Sequence, residues 1–165
     1  MKQTYRVISG LIALGVLVQA GAIAAGWFTA LHDVDNGAVL DENTDPNFGQ
    51  ILHGIDGMYV IPVLGLALLI VSFFAAKSVP GARKWGGIVF GLILLQVALA
   101  MFAFSVPALG ALHGINALAV LGTSVRASML TREAAGTRRA STAGAVGVPR
   151  QSTDSGAPEA SRPVN

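Results

Sequence analysis

Four long apolar stretches constrain the fold of this chain more than any other feature. They cover about residues 7–31, 50–76, 85–104 and 107–125. An α-helix needs roughly 20 apolar residues to cross the hydrocarbon core of a bilayer. The apolar side chains lie on nearly all sides of each stretch, as is typical of membrane-spanning helices. We therefore predict an all-α membrane protein in which residues 1–130 form four transmembrane helices.

The composition agrees with this prediction and excludes several kinds of site. Hydrophobic residues make up 53% of the 165 residues and charged residues only 12%, whereas about a quarter of a soluble domain is charged. The chain has no cysteine, which excludes disulfides, iron–sulfur clusters, thiolate metal sites, covalent C-x-x-C-H haem attachment and thiol catalysis. It also lacks a Gly-rich phosphate loop, a nucleophile elbow and a His-Glu-x-x-His motif, so the sequence favours a role that is not enzymatic.

The distribution of charge predicts how these helices are oriented. All eleven basic residues lie at positions 2–6, at positions 77–84 or from Arg126 onward, whereas the loop at 32–49 holds five acidic residues and no Lys or Arg. Basic residues that flank membrane spans stay in the cytoplasm, so both termini are predicted to be cytoplasmic and the acidic loop external. Because topology accounts for the basic residues, we expect a lipid bilayer as the partner, and no nucleic acid.

The first stretch also has features of a cleaved signal peptide, namely a basic start and small-residue sites such as Ala22-Ile23-Ala24. Cleavage would leave three spans with the same orientation. The apolar run continues past these sites to Leu31, so we expect the first stretch to remain as a transmembrane helix.

Residues 131–165 differ abruptly in composition from the rest of the chain. They are rich in Ala, Gly, Ser, Thr, Pro and Arg and have hardly any large apolar side chains. Such a segment buries too little apolar surface to offset the entropy lost on ordering. We therefore predict a disordered cytoplasmic tail over these residues.

A short motif occurs in both the second and the fourth stretch. Residues 52–56 read Leu-His-Gly-Ile-Asp, and residues 112–116 read Leu-His-Gly-Ile-Asn. The first and third stretches each contain one glutamine, Gln19 and Gln96. This pattern predicts an up-down-up-down four-helix bundle with a pseudo-twofold repeat of helical hairpins, each a Gln-bearing helix followed by a His-bearing helix.

The two His-bearing helices are expected to begin in similar ways. Asp45-Pro46 resembles an N-cap followed by proline at the first helical position, and Ser105 with Pro107 offers a similar start. These starts place His53 and His113 at a matched depth, roughly 9–10 Å along their helices on the external side.

His53 and His113 are the candidate cofactor ligands. Neighbouring helices lie 8–10 Å apart, so the diagonal axes of the bundle are roughly 11–14 Å apart. Two inward imidazoles at one depth would then approach the two faces of a single b-type haem, at about 2 Å per metal–nitrogen bond. Gly54 and Gly114 follow these histidines and remove side chains that would crowd the macrocycle.

Four further polar residues of the stretches are expected to support this site or to hold the helices together. Asp56 and Asn116 lie three residues after the histidines, on nearly the same helix face, where they would orient an imidazole or another donor. Gln19 and Gln96 are expected to form hydrogen bonds between helices.

Other interpretations of these residues remain open. The histidines and their polar neighbours would lock helix packing without any cofactor in a structural or accessory subunit. His53, Asp56 and His113 would form a two-histidine, one-carboxylate set for Fe(II) or Zn(II). Transport is a third interpretation, because Asp56 is the one acid within a span and Pro62 would free the carbonyl group of Met58.

The chain resembles two groups of membrane proteins. The glutamines of the first and third stretches and the Leu-His-Gly-Ile-Asn-Ala sequence at 112–117 resemble a family of small bacterial four-helix membrane proteins that carries a domain-of-unknown-function label. The paired histidines on alternate helices more distantly resemble one four-helix half of haem A synthase and other b-type cytochrome bundles. These resemblances imply a location in the bacterial inner membrane and a haem that serves electron transfer or haem handling, with a membrane redox or accessory protein as partner. They do not imply haem synthesis, because the chain contains one bundle.

Overall fold

The structure, a computed structural model, describes residues 1–146 of the chain. These residues are helical except for short connections and contain no strand, which confirms the predicted all-α class. The helices are α1 (Lys2–Asp35), α2 (Phe48–Ile55), α3 (Ile61–Ala75), α4 (Ala82–Ala103) and α5 (Leu109–Val146). A π-helical segment, Asp56–Val60, joins α2 to α3 without a break.

Three helical segments are long and apolar enough to cross a membrane. They are α1, the continuous helix Phe48–Ala75 and α4, with mean hydropathies of 2.2, 2.4 and 2.3. At most 28% of the residues in their most apolar windows are buried inside the protein. Most of the apolar side chains therefore face outward, an arrangement that suits lipid and is costly in water. Within the described residues α5 does not belong to this set, so these findings establish three such helices rather than four.

The helices pack side by side in a closed ring. The extensive contacts join α1 to α2 and α3, α3 to α4, α4 to α5, and α5 back to α1. As a result α2, which carries His53, faces α5, which carries His113, across the interior of the ring. The connections at 76–81 and 104–108 are short, so α3 and α5 lie beside α4, as consecutive antiparallel helices usually do.

Small residues let the helices approach closely around the apolar core. A Cβ atom on Gly86 of α4 would lie 2.7 Å from the Cβ of Ser72 on α3. Tyr5 is fully buried, and its hydroxyl group donates a hydrogen bond to the carbonyl oxygen of Ala82, 3.3 Å away. Such close packing replaces the hydrophobic effect as the main source of helix association in lipid.

The second helix begins at a different residue from the one predicted. Its N-cap is Asn47, not Asp45, because the Asn47 side chain accepts a hydrogen bond from the backbone N–H of Gln50 while the Gln50 side chain accepts one from the Asn47 backbone. The expected start at Ser105 and Pro107 is also wrong: α5 begins at Leu109, after a turn in which the N–H of Leu109 donates to the carbonyl of Val106.

The π-helical segment ends just before Pro62. Proline has no backbone N–H, and its ring clashes with the carbonyl group four residues earlier, here that of Met58. The helix widens over Asp56–Val60, where the N–H of Ile61 donates to the carbonyl of Asp56. Widened turns of this kind often occur at functional sites, and Asp56 is the first residue of this one.

Helix α5 is much longer than the apolar stretch at 107–125. It continues to Val146, past Thr131, the residue at which the disordered tail is predicted to begin. Residues after Arg126 include Ala, Arg, Leu and Glu, which favour helix, and an ion pair between Arg126 and Glu133 links two turns of it. The remainder of the predicted tail, residues 147–165, lies outside the described residues.

The closest backbone approach in the structure generates a stability prediction. A Cβ atom on Gly49 would lie 2.5 Å from both the carbonyl oxygen of Ala22 and the backbone nitrogen of Gly26, atoms that cannot move away alone. We expect Gly49→Ala to lower the free energy of unfolding by about 1–3 kcal/mol, measured by thermal unfolding in detergent. Gly21→Ala is the control, because a Cβ atom there meets nothing within 4 Å and helix propensity makes it neutral or stabilising. Equal melting temperatures for the two variants would contradict this packing.

Candidate functional site

The polar residues singled out in the sequence form two clusters in the ring. The Gln19 cluster consists of Gln19 on α1 with His53 and Asp56 at the end of α2. The Gln96 cluster consists of Gln96 on α4 with His113 and Asn116 on α5. The six residues thus form two groups, with one glutamine beside each histidine.

Both histidines are held in the same way. The Nδ1 atom of His53 lies 3.2 Å from the carbonyl oxygen of Gln19, and the Nδ1 atom of His113 lies 3.1 Å from the carbonyl oxygen of Gln96. A carbonyl oxygen only accepts hydrogen bonds, so each Nδ1 carries the proton and donates it. Each Nε2 then keeps a lone pair, as in histidines that ligate metals.

The imidazoles of the two clusters lie edge to face in the interior of the helix bundle. Their ring centroids are 6.3 Å apart, and their planes form an angle of 63°. His53 and His113 are both partly buried. The two halves of the motif thus contribute one histidine each to a single place in the interior, close to the connections α1–α2 and α4–α5.

Asp56 and Asn116 are buried deeper than the histidines, each with 8% of its surface exposed. The Oδ2 atom of Asp56 accepts a hydrogen bond of 3.1 Å from Nε2 of Gln19. The Nδ2 atom of Asn116 donates to Oε1 of Gln96 at 2.7 Å and to the carbonyl oxygen of Leu92 at 2.9 Å. These contacts satisfy polar groups that would otherwise be costly inside an apolar bundle.

The three-ligand metal site proposed from the sequence does not form. In the part of the chain that the structure describes, no group of three His, Asp or Glu side chains could hold a metal ion. The third histidine, His32, lies apart on an exposed turn, where its Nε2 is 3.2 Å from Nδ2 of Asn36. Of this set, His53 and His113 are the pair whose imidazole rings lie close together.

Sequence reasoning missed several residues that shape these clusters. A Cβ atom on Gly57 would lie 3.1 Å from Nε2 of Gln19, so a larger residue there would press on this amide group. Asn47 ties α2 to α1 by donating from Nδ2 to the carbonyl oxygen of Gly26 at 2.8 Å. An Asn-x-x-Gln pattern at 47–50 is a capping-box signal that could have identified Asn47, whereas nothing in the sequence marks Gly57.

No family model matches the chain, and neither a curated protein nor a solved structure is significantly similar to it. The geometry of the two clusters is therefore the basis for the function proposed below.

The Gln19 cluster yields a prediction on stability. Gln19→Leu leaves the buried carboxyl group of Asp56 without its hydrogen-bond donor, so we expect the free energy of unfolding to fall by about 1–3 kcal/mol. Adding Asp56→Leu should restore part of this loss, because replacing both partners by apolar groups is nearly neutral. Gln3→Leu, at an exposed position of the same helix, is the control. Chemical unfolding in mild detergent measures these proteins together with the single variant Asp56→Leu, and additive losses in the double variant would rule out the coupling.

Proposed function

We propose that the protein is an integral membrane protein that binds a b-type haem between His53 and His113 and serves electron transfer or haem handling. In this proposal residues of α1 to α5 form four transmembrane helices, arranged as two similar hairpins with both termini in the cytoplasm. The observation that carries the proposal is the position of the two imidazoles, 6.3 Å apart and each fixed through Nδ1.

The separation of the imidazoles favours ligands on opposite sides of one metal ion. Bonds of about 2.0–2.1 Å to each ring nitrogen, with about 1.1 Å from nitrogen to ring centroid, put two opposed centroids about 6.2–6.4 Å apart. A tetrahedral angle at the metal would bring the same centroids to about 5 Å. The 6.3 Å between the centroids matches opposed ligands, and two opposed imidazoles do not need parallel ring planes, so the 63° between them is compatible with this arrangement.

The number of ligands also favours haem over a bare ion. The described residues hold no third ionisable side chain within reach of a shared metal ion, and a porphyrin supplies four nitrogens of its own. Two histidines then complete the coordination. Gly54 and Gly114 leave open space beside the histidines, since a Cβ atom on either meets nothing within 4 Å.

Support for a fourth span comes from the outward surface of α5. Its first half exposes large apolar residues, among them Leu112, Ile115 and Leu118, whose exposed fractions are 50%, 63% and 69%. Two of the polar residues that lower its hydropathy, His113 and Asn116, are hydrogen-bonded to α4 and so add little cost in lipid. The contacts of α5 with α1 and α4 place it in the ring beside helices that can span the membrane.

The proposed topology is testable with reporter fusions. We expect alkaline phosphatase to be active when fused after Asn43 or Ser105 and inactive when fused after Pro80 or Thr131, with the reverse result for a fluorescent protein that folds only in the cytoplasm. The pair at Ser105 and Thr131 tests the fourth span, because fusions on one side of the membrane would mean that α5 does not cross it.

A second candidate function has its own support in the Gln96 cluster. Both nitrogens of His113 already have partners within the protein, the carbonyl oxygen of Gln96 at Nδ1 and Nε2 of Gln96 at 3.1 Å from Nε2. A structural or accessory subunit would use this cluster only to lock helix packing. In that case no cofactor binds, and substitution of either histidine affects only stability or assembly.

Absorption spectroscopy of the purified protein separates the two functions. With haem supplied during expression, we expect a Soret band and the low-spin spectrum of a six-coordinate haem with two imidazole ligands. His53→Ala and His113→Ala should each abolish the six-coordinate species. His32→Ala is the matched control, because this exposed histidine contacts neither cluster, and its spectrum should equal that of the unsubstituted protein.

Two results would contradict the haem proposal. One is the lack of a Soret band in folded protein after haem supplementation. The other is a six-coordinate spectrum that survives both His53→Ala and His113→Ala.

A further inference from the structure

The glutamine side chains of the two clusters point their amide groups in opposite directions. In the Gln96 cluster the oxygen of the amide faces Asn116, and its nitrogen faces Nε2 of His113. In the Gln19 cluster the nitrogen of the amide faces Asp56 and the carbonyl oxygen of His53. The two clusters are otherwise built alike, so the reversal needs a specific cause.

The cause is the one difference between the two motifs, Asp56 in place of Asn116. The amide nitrogen of Asn116 is fixed toward α4 by its hydrogen bond to the carbonyl of Leu92, so it donates and Gln96 must accept with its oxygen. The carboxylate oxygen of Asp56 accepts, so Gln19 must donate with its nitrogen. One change of atom type therefore turns the glutamine around.

The orientation of each glutamine determines whether the neighbouring imidazole is free. With its oxygen used by Asn116, Gln96 directs its nitrogen at Nε2 of His113 and occupies that lone pair. With its nitrogen used by Asp56 and the backbone of His53, Gln19 makes no contact with Nε2 of His53. Within the described residues Nε2 of His53 has no hydrogen-bond partner.

We infer that Asp56 and Asn116 are positioning residues that make His53 the available ligand and His113 the restrained one. A metal centre or other acceptor of a nitrogen lone pair entering this site binds Nε2 of His53 first. His113 becomes its second ligand only after the side chain of Gln96 rotates away. The order of ligation rests on the proposed haem function, whereas the difference between the two imidazoles does not.

The difference is measured without any cofactor by chemical modification. Diethyl pyrocarbonate transfers its carbethoxy group to a neutral imidazole nitrogen, with loss of ethanol and carbon dioxide, and peptide mass spectrometry follows each histidine separately. In the haem-free protein, Asn116→Asp should turn Gln96 around and speed modification of His113 by roughly 2- to 12-fold, the factor that the net strength of one hydrogen bond gives. Asp56→Asn should slow modification of His53 by a similar factor.

The modification rate of each histidine is compared between variants, so a difference in solvent access between His53 and His113 does not affect the comparison. The rate at the exposed His32 should stay constant in all proteins, and circular dichroism should show equal helix content. The expectation for Asp56→Asn requires that the new amide nitrogen finds a backbone carbonyl to donate to, as Asn116 does with Leu92. The carbonyl of Gly15 provides this acceptor. It precedes Gln19 by four residues, as Leu92 precedes Gln96, and a Cβ atom on Gly15 would lie 3.8 Å from Oδ2 of Asp56. Unchanged rates at His53 and His113 in both variants of a folded protein would overturn the inference.

Haem binding supplies an independent measurement. His113→Ala should bind haem as a five-coordinate, high-spin species through His53, whereas His53→Ala should bind haem more weakly, because His113 remains held by Gln96. Adding Gln96→Leu to His53→Ala should strengthen binding again. The reverse order of affinities would overturn the order of ligation. A lack of haem binding in every protein would instead overturn the proposed function. The modification rates would then decide whether the imidazoles of His53 and His113 differ.

Discussion

The hydrogen bonds between the glutamine-bearing and the histidine-bearing helices are the interactions on which the rest of the structure depends. Lipid offers no hydrogen-bond partners, so polar side chains within a span must satisfy one another. The contacts of His53 with Gln19 and of His113 with Gln96 fix the rotation and the depth of two helix pairs. They act together with the close packing at Gly49 and Gly86, because polar side chains in lipid pair only at particular positions along two helices.

Backbone details bring these side chains into reach. The approach of α2 to α1 at Gly26 and Gly49 allows the glutamine of one helix to touch the backbone of the next. The π-helical segment before Pro62 rotates α2 relative to α3. As a result Asp56 faces Gln19 while Leu68 and Ala75 still enter the core. A regular α-helix with one residue fewer in this turn would change the relation of these two faces by about 100°.

The sequence sufficed for the helical class because that class depends on local patterns. Apolar runs and a motif repeated at 52–56 and 112–116 can be read without knowing the partners of any residue. The orientation of Gln19 and Gln96 could not be predicted, because an amide group is nearly symmetric in shape and its direction is set by a residue on another helix. The apolar stretch at 107–125 indicates which residues suit the membrane, but it does not indicate where α5 ends. Helix propensity and the ion pair of Arg126 with Glu133 favour helix beyond this stretch.

The pairing of Asp56 with Asn116 shows how two similar halves can differ in chemistry at no cost in shape. The two side chains have nearly the same volume and are equally buried, so the surrounding helices pack as they would around identical residues. Yet one accepts where the other donates, and in an interior of low dielectric each neighbour must adapt to that polarity. Two identical halves would present two equivalent imidazoles to a ligand. The exchange of one oxygen for one nitrogen therefore gives the two imidazoles different hydrogen-bond partners.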